Sequence, residues 1–329
     1  MRLIFVGLAA AIGLSAQPSA AQALIEAGHW KRARSFVDWR LQENADDPDA
    51  LFLSSQIHNA FGDHTSPLPL AEKALKLDGK VARYHRQVAE VLGVAAQHAN
   101  MFQQVGLARR FRKEIDAAIA LDPHDTQALR DLVEFYLLAP GILGGDTAKA
   151  AQTADRIASI NRAEGLLAQA RIAEFHKNPA ETEALLRRAA ELRPRSYKAI
   201  IALAEFYLEP QHRNESATET AARAAVTLDP GRVGAYSVLA AVYARQSNWA
   251  ALEETLSQAA QAVTDDPVPY YRAAEQLIAD SREPERAERY LRTYLMQEPE
   301  GNEPAAAEAH AKMDVALHMR GSPGQRGMK

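Results

Sequence analysis

The chain has 329 residues, 38 lysines and arginines against 42 aspartates and glutamates, and no cysteine. A net charge of −4 and a pI ≈ 6.2 argue against bulk attraction to nucleic acid or to an anionic membrane surface. The lack of cysteine excludes disulfides, thiolate metal sites and a lipidated N-terminal cysteine.

The N-terminus has the three-part layout of a secretory signal peptide. Arg2 is followed by an apolar run from Leu3 to Leu14, broken only by Gly7 and Gly13, and then by small residues with cleavage expected after Ala21 or Ala23. The run falls short of the ~20 apolar residues that span a bilayer. Residues 1–23 are therefore expected to be removed, leaving a periplasmic or secreted protein with no membrane insertion. Past that point beta-branched runs with strand alternation are scarce, and apolar residues recur at helical spacing, so the fold is predicted all-α over 24–320.

A helix remnant around Leu24–Ala27 leads through a turn at Gly28-His29 into a helix from Trp30 to about Asn44. A helix pair over 50–79 turns at Gly62-Asp63 and places Pro67 at the start of its second helix, where proline is tolerated. The next unit, 82–123, is oversized. Its first helix runs toward Asn100, and a polar stretch through Gln103, Gln104 and Gly106 precedes a helix from Leu107 to Leu121. From Thr126 onward a unit carries Leu129, Leu132, Val133 and Tyr136 at i, i+3, i+4 and i+7, which places them on one helical face. A compact unit follows, Leu166–Phe175 and Thr182–Leu192, turning at Lys177-Asn178-Pro179. Two later units repeat the offsets with Ile200, Leu203, Ala204 and Tyr207, and with Tyr236, Leu239, Ala240 and Tyr243. A last unit spans 268–299. Pro304 opens a terminal helix to about Met319, and the Gly-, Ser- and Pro-rich tail 321–329 is predicted to be disordered.

Second helices close on one recurring phrase: Leu77-Asp78-Gly79, Leu121-Asp122-Pro123, Leu192-Arg193-Pro194 and Leu228-Asp229-Pro230, with looser copies at Asp266-Pro267 and Glu298-Pro299. Proline stops one helix and frees the next to start. A unit recurring every 30–45 residues is the mark of a helical array, in which each unit buries its apolar face against its neighbour. With large residues on the first helix, small ones on the second and a Pro-like stop, the pattern resembles the tetratricopeptide repeat, a helix–turn–helix unit of about 34 residues. The resemblance runs from about Gly28 to Met319, and bacterial sequences with an enlarged third unit and a Pro-Gly-Ile-x-Gly-Gly loop share it. It implies a right-handed superhelical solenoid of about seven units with a terminal capping helix. It further implies a protein or peptide partner held in a concave groove lined by the first helices. On this sequence the groove positions hold Arg86, Glu90, Arg130, Glu134, Arg171, Glu174, Lys198, Glu205, Arg245, Arg272 and Gln276. Intrahelical pairing is the competing use of Arg86–Glu90 and Arg130–Glu134, both at i, i+4. Such pairs contribute only ~0.2–0.5 kcal/mol, and basic-before-acidic is the poorer order. Two positions depart from the pattern: Glu275 where a small residue is expected, and Gln169 with Ala173 where leucine and tyrosine are.

The segment Ala139–Asp146 interrupts one hairpin where a short turn is expected. Pro140, Gly141, Gly144, Gly145 and Asp146 read as a docking loop for an envelope enzyme or transporter, or as an anion-binding loop. The simpler reading, and the one favoured, is a structural turn, with Pro140 ending one helix and Asp146 or Thr147 capping the next. The lysine of a phosphate-binding loop is missing. No two histidines share i, i+3 or i, i+4 spacing, and neither His-Glu-x-x-His nor Gly-x-Ser-x-Gly occurs, so no catalytic, metal or cofactor residue is assigned. The basic clusters Arg109–Lys113 and Arg187–Arg195 read as solvated faces of second helices. Together these features predict a non-enzymatic scaffold.

Overall fold

The computed structural model describes residues 19–321, which fold into seventeen α-helices and two 3-10 turns with no strand among them. The apolar run ahead of residue 19 and the tail beyond residue 321 lie outside the described residues. Helices follow one another in packed pairs: α1 (Ala20–Ala27) with α2 (Trp30–Glu43), α3 (Pro48–Ala60) with α4 (Pro67–Leu77), and α5 (Ala82–His98) with α6 (Met101–Leu121). Next come α7 (Thr126–Leu138) with α8 (Thr147–Ile160), α9 (Arg162–Phe175) with α10 (Pro179–Glu191), and α11 (Tyr197–Leu208) with α12 (Glu215–Leu228). The pairs α13 (Gly234–Gln246) with α14 (Trp249–Ala262) and α15 (Val268–Ala279) with α16 (Pro284–Tyr294) complete the array, and α17 (Ala306–Gly321) covers its end.

Helix boundaries follow from short side chains that bond the backbone. Asp47, Asp125, Asp146, Asn161, Asn178, Asn214 and Asn248 each accept amide hydrogens in the first turn of the helix they open. The recurring aspartate of the closing phrase has its own task. Asp78, Asp122 and Asp229 are extended at the helix end, and their carboxylates accept the amides of Lys80, His124 and Gly231, two residues on. That local turn replaces the next helical bond and fixes the angle at which the chain re-enters the array.

One expectation changes. The polar stretch before Leu107 is helical, because Asn100 and Gln103 form a reciprocal capping box that starts α6 at Met101. Read alone, Gln103 and Gly106 look like loop; read with Asn100, they open a helix. At the N-terminus α1 begins at Ala20, capped by Ser19 and ended by Gly28 in the left-handed conformation (φ 94°). Ala21 and Ile25 are buried in the core of the first units, so both expected cleavage bonds fall inside a packed helix.

First helices form the inner layer. Contacts link α3 to α5, α7 to α9, α9 to α11, α11 to α13, α13 to α15 and α15 to α17, while no comparable contact joins successive second helices. Small residues permit this closeness, and Gly165 on α9 is the extreme case. A Cβ there would lie 2.3 Å from the Cα and Cβ of Ala158 on α8. The basic clusters also stitch units together. Arg112, Arg187 and Arg223 on second helices lie over the rings of Tyr136, Tyr207 and Tyr243 on the following first helices, at 5.1, 5.8 and 5.7 Å. Each of these arginines pairs with a carboxylate one turn away, Asp116, Glu183 or Glu219.

The array bends far enough for its two ends to meet. The start of α2 docks on the loops before α15 and α17. The Lys31 ammonium donates to the carbonyls of Asp265 (2.5 Å) and Glu298 (2.6 Å), and its amide donates to Glu300 (2.9 Å). Arg32 pairs with Asp265 at 2.7 Å and Arg34 with Glu298 at 2.5 Å. Asn302 donates its amide to the Ala60 carbonyl at 2.7 Å, and Gly301 is so close that a Cβ would lie 2.9 Å from both Trp30 and Ala60.

Glycine packing gives a paired prediction. Gly165→Ala should destabilise the chain by about 1–3 kcal/mol, the cost of overpacking. Gly93→Ala on α5 meets Phe111 at an ordinary 3.5 Å and should stabilise by about 0.5–1 kcal/mol through helix propensity. Denaturant midpoints moving in the same direction for both would contradict this packing.

Candidate functional site: the concave face

The inner layer presents the groove side chains, and most of its charges are spent on neighbouring units. Arg130 on α7 lies 3.4 Å from Glu164 on α9, and Lys198 on α11 lies 3.0 Å from the same carboxylate. Arg171 on α9 reaches back to Glu134 on α7 at 2.8 Å and touches Glu174 at 3.7 Å. Arg86 on α5 holds Asp125 at the start of α7 at 3.1 Å, while its intrahelical partner Glu90 is a loose 4.0 Å away. For Arg86, Arg130, Arg171 and Lys198 the shorter pairing is between repeats, whereas Arg272 pairs within its own helix, with Glu275 at 3.0 Å. The partners in different repeats are 34 to 39 residues apart, one unit length, a periodicity the sequence offered beside the i, i+4 decoys.

Arg245 does not line the groove. Its side chain is 6% exposed, paired with Glu215 at 3.1 Å and donating to the Leu208 carbonyl that ends α11. It is a packing residue closed to a partner.

Two hollows remain on the concave side. One of about 340 Å³ lies between α7 and α9, lined by Gln127, Arg130, Asp131, Glu134, Leu167 and Arg171 among others. Another of about 330 Å³ lies between α11, α13 and α15, lined by Glu205, Ser237, Arg272, Glu275, Gln276 and Glu303 among others. A slightly larger hollow, about 400 Å³, sits between α10, α11 and α12, but its Arg187 and Tyr207 are already joined through Glu183. Sequence reasoning named five residues of the two concave hollows beside Glu205, and missed Asp131, Ser237 and Glu303. Asp131 sits next to Arg130, outside the i, i+4 ladder that drew attention. Glu303 lies in a loop after the repeat pattern has ended.

Both missed carboxyls are buried with little to offset a negative charge. Burial, reinforced by the nearby Glu90, pushes Asp131 up to about 7, and its Oδ2 is buried with no hydrogen-bond partner, as is Nε of Arg130. Burial pushes Glu303 up to about 8, with Asp266 adding to the effect, and Arg272 at 3.7 Å offsets only part of it. Glu90 and Glu205 shift upward by the same burial. The Ser237 hydroxyl in the second hollow is likewise buried without a partner. Buried polar groups take a partner wherever one is supplied, so both hollows favour donors and cations over carboxylates.

The Pro140–Asp146 loop is a closed turn. Gly141–Leu143 form a 3-10 turn, and the amides of Leu143, Gly144, Gly145 and Asp146 donate to the carbonyls of Pro140, Gly141, Pro140 and Tyr136. Gly144 has φ 104°, and a Cβ on Gly145 would collide with the Ala139 carbonyl at 1.8 Å. Asp146 caps α8. With those amides spent internally, the anion-binding reading is withdrawn. Among the described residues no helix is long and apolar enough to cross a membrane, and no three metal-ligating side chains converge.

No family model matches the chain, and no curated protein matches it. Solved structures do. Yeast Tom70 superposes with a TM-score of 0.56 over 89% of this chain and 59% of its own, at 12% identity. A thermophilic tetratricopeptide-repeat protein of Thermus thermophilus superposes with a TM-score of 0.50 over 57% of this chain and 96% of its own, at 17% identity. At these identities the likeness is one of fold, and it agrees with the packed helix pairs described above.

Glu303 makes the electrostatics measurable. In the unfolded chain it loses its proton near the ordinary 4.5; folded, it holds it to about 8. Between those values the folded state carries a proton the unfolded state has lost, so stability falls as pH rises. Glu303→Gln should therefore match the parent at pH 4 and exceed its Tm by several degrees, on the order of 5–10 °C, at pH 9. Parallel Tm curves for the two proteins would contradict the assignment.

Proposed function

We propose that this tetratricopeptide-type solenoid is an exported scaffold that holds an extended segment of a protein partner in its concave groove. The observation that carries the reading is the pair of hollows floored by Asp131 and Glu303, carboxylates that the inter-unit pairing leaves under-compensated. Both hollows open between first helices, α7 and α9 for one and α11, α13 and α15 for the other, where an extended peptide could set side chains into them in turn. A lysine, arginine or amide donor on that peptide would supply the partner these buried carboxyls lack and draw off their protons. Export rests on the signal-like run before residue 19, and the role proposed includes no reaction of its own.

A second reading has one observation in its favour. Ile142 at the tip of the Pro140–Asp146 turn is 94% exposed, with Leu138 at 63% on the preceding helix end. An accessory subunit could dock there through apolar contact.

Photo-crosslinking in cells separates the two. Benzoylphenylalanine at Gln276 in the groove should yield a discrete crosslinked partner, while the same group at Gln258 on the outer helix α14 should not. That product should fall at least severalfold when Asp131→Asn and Glu205→Gln are added, since these side chains sit outside the inter-unit ladder. Crosslinks arising at Ile142 and absent at Gln276 would transfer the function to the loop.

A further inference from the structure

The groove and the meeting point of the chain's two ends share one loop. Residues Glu298, Glu300, Gly301 and Asn302 bind the first units, and Glu303, next in line, lines the hollow between α11, α13 and α15. The loop is held on its far side by Tyr294, whose buried hydroxyl donates to the Pro304 carbonyl at 2.6 Å. A short segment pinned between two anchors cannot shift at Glu300 without moving Glu303.

The seam differs from the apolar packing that joins consecutive units. Elsewhere, helices join through continuous apolar clusters, one running from Ala21 to Tyr84 and another from Ala204 to Ala316. These two clusters do not merge where the ends meet. Ammonium, guanidinium and carboxylate groups join them instead, with Trp30 and Ala60 against Gly301 as the small apolar part. The exposed pairs, such as Arg34–Glu298 with side chains 35% and 53% exposed, are worth little and are screened by salt. An interface of this composition opens before the apolar ones do.

We propose that the seam is a latch, and that its closure completes the hollow at the end of the groove by placing Glu303 opposite Glu205 and Arg272. Closing the latch and seating a cationic side chain in that hollow then favour each other, because coupling between two sites is reciprocal. This rests on the groove reading above and names its regulation: the partner is held most tightly by the closed chain, and release accompanies opening.

The lack of native cysteine makes a lock practical. Arg34→Cys with Glu298→Cys replaces an exposed pair that meets across the seam at 2.5 Å and leaves the tight contact at Gly301 untouched. With a short bis-maleimide cross-linker carrying a cleavable disulfide, the pair should form an intramolecular bond in the native protein and not in urea. A fluorescein-labelled peptide of alternating lysine and alanine should then bind the cross-linked protein about fivefold or more tighter than the same protein after cleavage with a reductant. Lys31→Glu in the cysteine-free chain should weaken that peptide and leave the far-UV circular dichroism unchanged. A peptide with glutamate in place of lysine serves as the control. Failure of the intramolecular bond to form would overturn the latch while leaving groove crosslinks from Gln276 untouched. A bond that forms without changing affinity would overturn the coupling alone. No binding of the lysine peptide in either state, with the bond formed, would remove the cationic reading of the groove and the coupling built on it.

Discussion

Lys31 occupies the point where the chain touches itself. Its ammonium bridges the carbonyls of Asp265 and Glu298, and its amide is taken by Glu300. An open array of stacked helix pairs has no need of such a contact, because each unit satisfies its apolar face on its neighbours. Here the curvature accumulated over the units brings the first pair within reach of the last loops. What the Lys31 cluster adds is a boundary condition: the bend of every unit between must sum to closure. The close approach of Gly301 to Trp30 and Ala60 is where that constraint leaves no room for a side chain.

Closure also explains the division of labour on the inner face. Charges that serve the bend are paired across units, Arg130 and Lys198 on Glu164, Arg171 on Glu134, and Arg86 on Asp125. These ties hold adjacent first helices at fixed spacing. Asp131 and Glu303 are left inside the curve with little compensation, and burial raises both. Burial holds a proton on them in the empty groove, and a bound cation would supply the compensation that lets them ionise.

The architecture could be read from the chain because it is local. Leu-Asp-Pro stops a helix through groups within three residues, and the apolar offsets at Leu129–Tyr136 or Tyr236–Tyr243 report one helical face. The start of α6 was misjudged for the same reason: Gln103 acts with Asn100, and only the pair shows the cap. The site was less legible. Its pairs recur at the unit length, so Arg130 and Glu164 stand a full repeat apart, and the i, i+4 neighbour Glu134 belongs to Arg171 instead. Arg245 fits the groove pattern by offset but is turned into the packing by Glu215 and the end of α11. The seam was not legible at all, because closure depends on small angles summed over the whole array, and no residue encodes that sum.

The account stands or falls on whether the two ends meet in solution. Spin labels placed through cysteines at Ser35 on α2 and Gln297 before α17, both exposed, read that distance directly by double electron–electron resonance. A closed chain gives one narrow, short distance distribution at low ionic strength, broadening as salt is raised. A broad distribution at long distance at every salt concentration would contradict closure, and with it the latch that closure supports.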